Sequence, residues 1–123
     1  MQYLLLIYHA ESEWEALSED ERQRVYSQYR SLREDLIKSG SWIGGNQLQP
    51  IGTASTVRLM DKKPLISDGP FAETKEQLGG YFLIEAKNLD EALKIASSIP
   101  SAALGGSIEV RPVVMRTVEA AVS

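Results

Sequence analysis

A dense run of acids and bases lies between two restrained turns in this chain. Asp68-Gly69-Pro70-Phe71 leads into Glu73-Thr74-Lys75-Glu76-Gln77, and Gly79-Gly80 return the backbone to the apolar Tyr81-Phe82-Leu83-Ile84. A carboxylate presented just past a strand end, as Asp68 is expected to be, can take or give a proton or accept a ligand's hydrogen bond. Lys75 could bind an acidic group or hold Asp68 ionised by opposite charge, with Glu73 in the same string. A purely structural account competes with this one. Asp-Gly-Pro is a turn whose aspartate bonds backbone amides two residues on, and Thr74 with Gln77 could cap a short, solvated helix start. Asp68 is the first candidate for catalysis, Glu73 and Lys75 are open as binding residues, and Glu76 reads as solvated.

Four further side chains carry usable chemistry. Arg58 and Arg111 lie within strands, where parity sets their face: Arg111 shares a side with Glu109 and Val113, opposite Ile108, Val110 and Pro112. Either arginine could grip a ligand carboxylate through two parallel hydrogen bonds, although an ion pair with Glu109 or Glu85 across a dimer is the plainer role. His9, the chain's one histidine, ends the first strand; imidazoles titrate near neutrality, so a supporting proton-shuttle role is open to it. Tyr81, like Tyr8 and Trp42, reads as core or pocket wall. Gly79-Gly80 fits close backbone packing better than phosphate binding, because no helix N-terminus comes after it.

The elements that position these residues are set by periodicity. Residues 2–8 alternate as a strand that is apolar on both sides. A short turn over Ser12–Ala16 precedes a long helix, which Ser18 and Glu21 open as a capping box and Gly40 closes. Val25, Tyr29, Leu32 and Leu36 form its stripe, with Arg22, Arg30, Glu34 and Lys38 outside it. Ser41–Leu48 reads as a strand with a bulge or close approach at Gly44-Gly45. Thr56–Met60 and Pro64–Ser67 form a hairpin around Asp61-Lys62-Lys63, and Gly80–Ala86 is a strand apolar on both sides. Asn88 and Glu91 cap a second helix with Leu89, Ala92, Leu93 and Ala96 buried. Pro100 and Gly105-Gly106 end that segment, Ile108–Val118 is the closing strand, and Ala120–Ser123 is a frayed tail.

This order predicts an α+β fold: a largely antiparallel sheet with two helices on one face. Two helices can dry only one face, yet the first and fifth strands are apolar on both. Exposed apolar surface forgoes about 25 cal/mol per Å², so a homodimer through the bare sheet face is expected, with a lipid-like ligand as the alternative cover.

The totals narrow the function classes. The chain has 123 residues, one domain by length, with no cysteine and a formal charge of −4. Without thiols there are no disulfides, thiolate nucleophiles or zinc–cysteine sites; magnesium or calcium on carboxylates stays open. No basic cluster supports nucleic-acid binding. The apolar run Leu4–Tyr8 is too short and too acidic downstream for a signal or membrane span, and a cytoplasmic location is expected. There is no Gly-x-Gly-x-x-Gly, Walker or Ser–His–Asp pattern, so no cofactor is expected.

Gly44-Gly45, Gln47-Leu48-Gln49-Pro50, Val57-Arg58, Asp68-Gly69-Pro70-Phe71, Glu73 through Tyr81, Glu91-Ala92 and Glu109-Val110-Arg111-Pro112 together make the chain resemble the YCII-related, or DGPF-domain, family of small bacterial proteins. The resemblance implies a ferredoxin-like fold paired as a dimeric α+β barrel. It implies little about activity: some members are associated with alternative sigma factors and others have been proposed as small enzymes. The compact enzyme-like branch carries a histidine in its first long helix, at a place that falls near Gln28 or Tyr29 here, so that imidazole chemistry does not transfer. Two functions stand as expectations. One is a cofactor-independent acid/base enzyme on a polar or acidic metabolite, with Asp68 moving the proton. The other is a non-catalytic partner or sensor linked to transcriptional regulation. A structural dimer sealed by the charged loop is a third.

Overall fold

The alternation in the first strand sets the layers. In the computed structural model, which describes residues 1–116, β1 (Gln2–His9) turns Tyr3, Leu5 and Ile7 into the core and Leu4, Leu6 and Tyr8 to the other side. β5 (Gln77–Glu85) lies antiparallel beside it with Phe82 opposite Leu5 and Ile84 opposite Tyr3. β6 (Ser107–Pro112) pairs with the far edge of β1, and β2 (Trp42–Gln47) pairs with β5. The strand order β2-β5-β1-β6, with one long helix between β1 and β2 and another between β5 and β6, is the ferredoxin-like split βαβ arrangement. The expected α+β class is what the chain adopts.

Both principal helices pack on the side of Tyr3, Leu5, Ile7, Phe82 and Ile84. α2 (Glu19–Lys38) begins at the capping box read in the sequence: Ser18 Oγ accepts from the Glu21 N–H at 3.1 Å, and Glu21 Oε1 accepts from the Ser18 N–H at 3.1 Å. Val25 and Leu36 are buried, Tyr29 and Leu32 partly so. Gly40 comes next with φ +78°. α3 (Leu89–Ser97) is capped by Asn88, whose side chain accepts from the Glu91 N–H at 2.9 Å. Its buried stripe differs from the one expected. Leu89 and Leu93 are exposed, and Ala92, Ile95, Ala96 and Ile99 pack inward at i, i+3, i+4, i+7. The small alanines let α3 approach the sheet closely. Pro100 does not end the segment; it opens a further turn, α4 (Pro100–Ala103), where its missing N–H has no partner to lose.

β3 (Ser55–Met60) and β4 (Lys63–Asp68) pair only with each other. The turn is the two residues Asp61 and Lys62, at φ 51° and 66°, rather than the three expected. Matching positive φ values suit the right-handed twist of a tight hairpin. Val57, Leu59, Pro64 and Ile66 share one side of this arm, and all are exposed. The closing strand is shorter than expected, ending at Pro112, although the Val113 N–H still donates to the Gln2 carbonyl at 2.9 Å. The rest of the expected strand beyond residue 116, and the expected tail, lie outside the described residues. Among the described residues no helix is long and apolar enough to cross a membrane.

Candidate functional site

On the helix-covered side, the sheet and α2 do not close completely. α2 turns Tyr26, Tyr29, Arg30 and Arg33 toward the sheet, positions i, i+3, i+4 and i+7 on one stripe. Between them and the strands lies a cavity of about 330 Å³, whose wall includes Trp14, Trp42, Gln47, Phe82, Ser101 and His9. That size is at the lower end for small-molecule sites. Trp14 comes from the short helix α1 (Glu11–Glu15). Glu11 pins that helix: its N–H donates to Gln77 Oε1 at 2.9 Å, and its Oε2 accepts from the Ile51 N–H at 2.9 Å.

Two arcs of rings form the wall. In one, Trp14 stands 6.1 Å from His9 and 5.5 Å from Tyr26, centroid to centroid. In the other, Phe82 meets Tyr29 at 6.1 Å and Trp42 at 4.9 Å, both edge to face. Two glycines make the room. A Cβ at Gly45 would lie 2.7 Å from the Trp42 ring and 2.9 Å from the Phe82 ring. A Cβ at Gly79 would clash with the His9 imidazole, 2.8 Å from Nδ1 and closer still to Cε1. The register between β1 and β5 slips at Ile7/Tyr8, next to Gly79, and His9 rests on the bare backbone there. The close backbone packing expected of Gly79-Gly80 holds at Gly80, where a Cβ would lie 2.9 Å from the Asn46 carbonyl oxygen, whereas Gly79 makes room for a side chain.

The charged groups in this wall are of one sign. His9 Nδ1 is buried and bonds nothing among the described residues. A buried polar atom without a partner is costly, and the ring that carries it lines the cavity. Tyr29 is settled: its hydroxyl lies 2.6 Å from Ser101 Oγ, and burial pushes its pKa up, keeping it protonated. Arg30 and Arg33 supply the charge, and among the described residues no aspartate or glutamate lines this cavity. A smaller adjoining cavity of about 230 Å³ shares His9, Trp14 and Ser101, and Glu13 lines that one. Among the described residues no group of three or more His, Asp or Glu side chains is placed to hold a metal ion.

The side chains singled out from the sequence are scattered by the fold. Of them, His9 and Trp42, the latter read as core or pocket wall, line the cavity. Asp68 is the last residue of β4, opposite Ser55, and it is exposed. Arg58 pairs with Leu65, which puts it on the opposite side of the arm from Asp68. Glu73 and Lys75 are exposed in a bend, not a helix; Gln77 Nε2 donates to the Thr74 carbonyl at 2.7 Å there. Glu76, expected to be solvated, accepts from Ser107 Oγ at 3.1 Å. Tyr81 and Arg111 are on the bare side of the sheet, where Asn46 Nδ2 donates to the Tyr81 hydroxyl at 3.1 Å. One of the two carboxylates considered as an arginine's partner, Glu85, instead meets the Met1 amine at 2.7 Å.

Sequence reasoning passed over Trp14, Tyr26, Arg30, Arg33, Gln47 and Ser101. A signal existed for three of them: Tyr26, Arg30 and Arg33 recur on a stripe adjoining the apolar one. Arginines there border the buried face rather than avoiding it.

The description YCII-related domain matches residues 1–116 of this chain. An uncharacterized protein of Rhizobium meliloti (strain 1021), R00369, is 38% identical over 116 residues, which is 94% of each chain.

Proposed function

This chain belongs to the YCII-related domain family, and we propose that it is a cofactor-independent acid/base protein whose small ligand occupies the cavity under α2, with His9 moving the proton. One observation carries the reading: His9, whose Nδ1 is buried without a partner, lines a ring-walled space that two glycines keep open. Neutral imidazole can accept a proton from a bound acid and return it. Trp14, Tyr26, Trp42 and Phe82 would exclude water and orient the ligand, and Gln47 offers a neutral hydrogen-bonding amide.

The chain's two tryptophans both line the cavity, so their fluorescence reports occupancy. A metabolite panel should contain members that quench it saturably. His9→Gln should weaken those members or abolish their turnover, while Asp68→Asn leaves both intact. The reverse pattern would move the site to the Asp68 loop, with Glu73, Lys75 and Arg58 as its binding residues.

A second copy is proposed to cover the bare sheet face, where Leu4, Leu6, Tyr8, Tyr81 and Leu83 are half-buried in the single chain. Light scattering that returns a lone protomer at high concentration would remove that element. A second reading, a partner protein, is favoured by one feature: Val57, Leu59 and Ile66 project from the arm with Phe71 exposed beyond it. A link to transcriptional regulation would belong to this reading. It predicts a stable heterocomplex that Leu59→Ser disrupts and His9→Gln does not.

A further inference from the structure

We infer that the ligand of this cavity is a small planar acid, an aromatic or conjugated carboxylate, with its anion held by Arg30 and Arg33 and its ring among Trp14, Tyr26, Trp42 and Phe82. The inference rests on the proposed function and deepens it by naming the class of molecule.

Charge argues first. Acidic residues outnumber lysine and arginine by 17 to 13 in this chain, yet among the described residues the cavity wall holds two arginines and a histidine and no carboxylate. The two ion pairs among the described residues join Met1 to Glu85 and Arg22 to Glu19. Neither Arg30 nor Arg33 is neutralised by a carboxylate there. Three residues apart on α2, they present two planar, donor-only forks from one helix face. An anion supplies what both lack, and a carboxylate matches the fork with two parallel hydrogen bonds.

Shape argues second. Five aromatic side chains, Trp14, Tyr26, Tyr29, Trp42 and Phe82, line a space of about 330 Å³. Rings of this kind select a flat, polarisable partner through offset and edge contacts. The long helices do not aim an N-terminus at the cavity: α2 contributes from Tyr26 onward and α3 contributes nothing. The dipole and amide arrangement that favours a phosphate dianion is missing from them, whereas two guanidinium groups suit a singly charged carboxylate. The His9 imidazole would then meet a substituent of the ring, such as a hydroxyl, and not the anion itself.

Tryptophan fluorescence tests this with benzoate, 4-hydroxybenzoate, the neutral isostere benzamide and the saturated cyclohexanecarboxylate, on the full chain. Benzoate is expected to quench saturably and to bind about tenfold tighter than benzamide or cyclohexanecarboxylate, the loss expected when a charged or stacked contact is withdrawn. Arg30→Ala and Arg33→Ala, both at exposed positions, should each weaken benzoate about fivefold or more and leave benzamide within about twofold. Rising salt should weaken benzoate alone. The 4-hydroxy acid should exceed benzoate, and His9→Gln should erase that advantage. Equal binding of benzoate and benzamide, or arginine variants that treat them alike, would overturn the ligand class and leave the cavity reading standing. Phenyl phosphate displacing benzoate at lower concentration would overturn the carboxylate assignment in the same way. If no probe of either charge quenches, the ligand class and the cavity site fall together.

Discussion

The cavity under α2 and the arm formed by β3 and β4 treat their side chains in opposite ways. Around the cavity, residues from β1, α1, α2, β2 and β5 converge, and one polar atom, His9 Nδ1, is withdrawn from water without a partner while Arg30 and Arg33 stay exposed. Along the arm nearly every side chain faces outward, apolar Leu59 at 73% exposure as freely as Asp68. Desolvation makes an electrostatic contact strong, and exposure leaves it weak and screened. The first region is the one we propose takes a small molecule; the second offers surface and can act only against something that covers it.

Four measurements can break or sharpen that contrast. Leu5, fully buried beneath the helices, anchors the layer that shapes the cavity. Leu5→Ala should cost about 2–5 kcal/mol in denaturant unfolding, and a loss below about 1 kcal/mol would mean that this core is looser than its burial implies. Gly79→Ala comes next. The new methyl must displace the His9 ring, so ligands that quench the tryptophans should lose about tenfold in affinity. Unchanged binding would take His9 out of the site.

The third measurement concerns the helix that carries both arginines. The Ser18 N–H, then the Ser18 hydroxyl contact, hold the Glu21 carboxyl below its ordinary 4.5. A carboxyl whose value is lowered by folding stabilises the fold above its unfolded value, and that contribution fades as pH falls through the lowered one. Wild-type melting temperature should therefore drop more steeply than that of Glu21→Gln as pH is taken below 4.5. Parallel curves would show that the cap contributes nothing. The smallest effect belongs to the arm, where Leu59→Ser should change stability by less than about 0.5 kcal/mol. A larger loss would show that the arm is already covered in solution.

The same contrast explains how much the residues alone can tell. The layering is legible because period-two and period-3.6 patterns arise directly from which side chains leave water: β1, β5 and the Val25–Leu36 stripe all declare themselves. Capping is legible because Ser18 with Glu21 and Asn88 with Glu91 bond within three positions. The arm and its Asp-Gly-Pro-Phe sequel draw attention because their residues are contiguous. The cavity offers no such run. His9, Trp14, Arg30, Gln47 and Ser101 are brought together by tertiary packing, and only the Tyr26, Arg30 and Arg33 spacing hints at it. Leu89 and Leu93 mislead for a related reason: periodicity finds a stripe, but alanine wins the inward position where helix and sheet approach closely. Pro100 reads as a stop in sequence because its role as a first-turn residue depends on Ser101–Ala103 turning helical after it.

Because β3 and β4 hydrogen-bond only to each other, their ladder is not continuous with that of the four-stranded body. A two-stranded ribbon is marginal by itself, so its amides should trade their protons for deuterium long before those of β1 or β5. A protease given brief access should nick the chain near Asp61-Lys62 first, leaving the remaining body folded and its hollow intact.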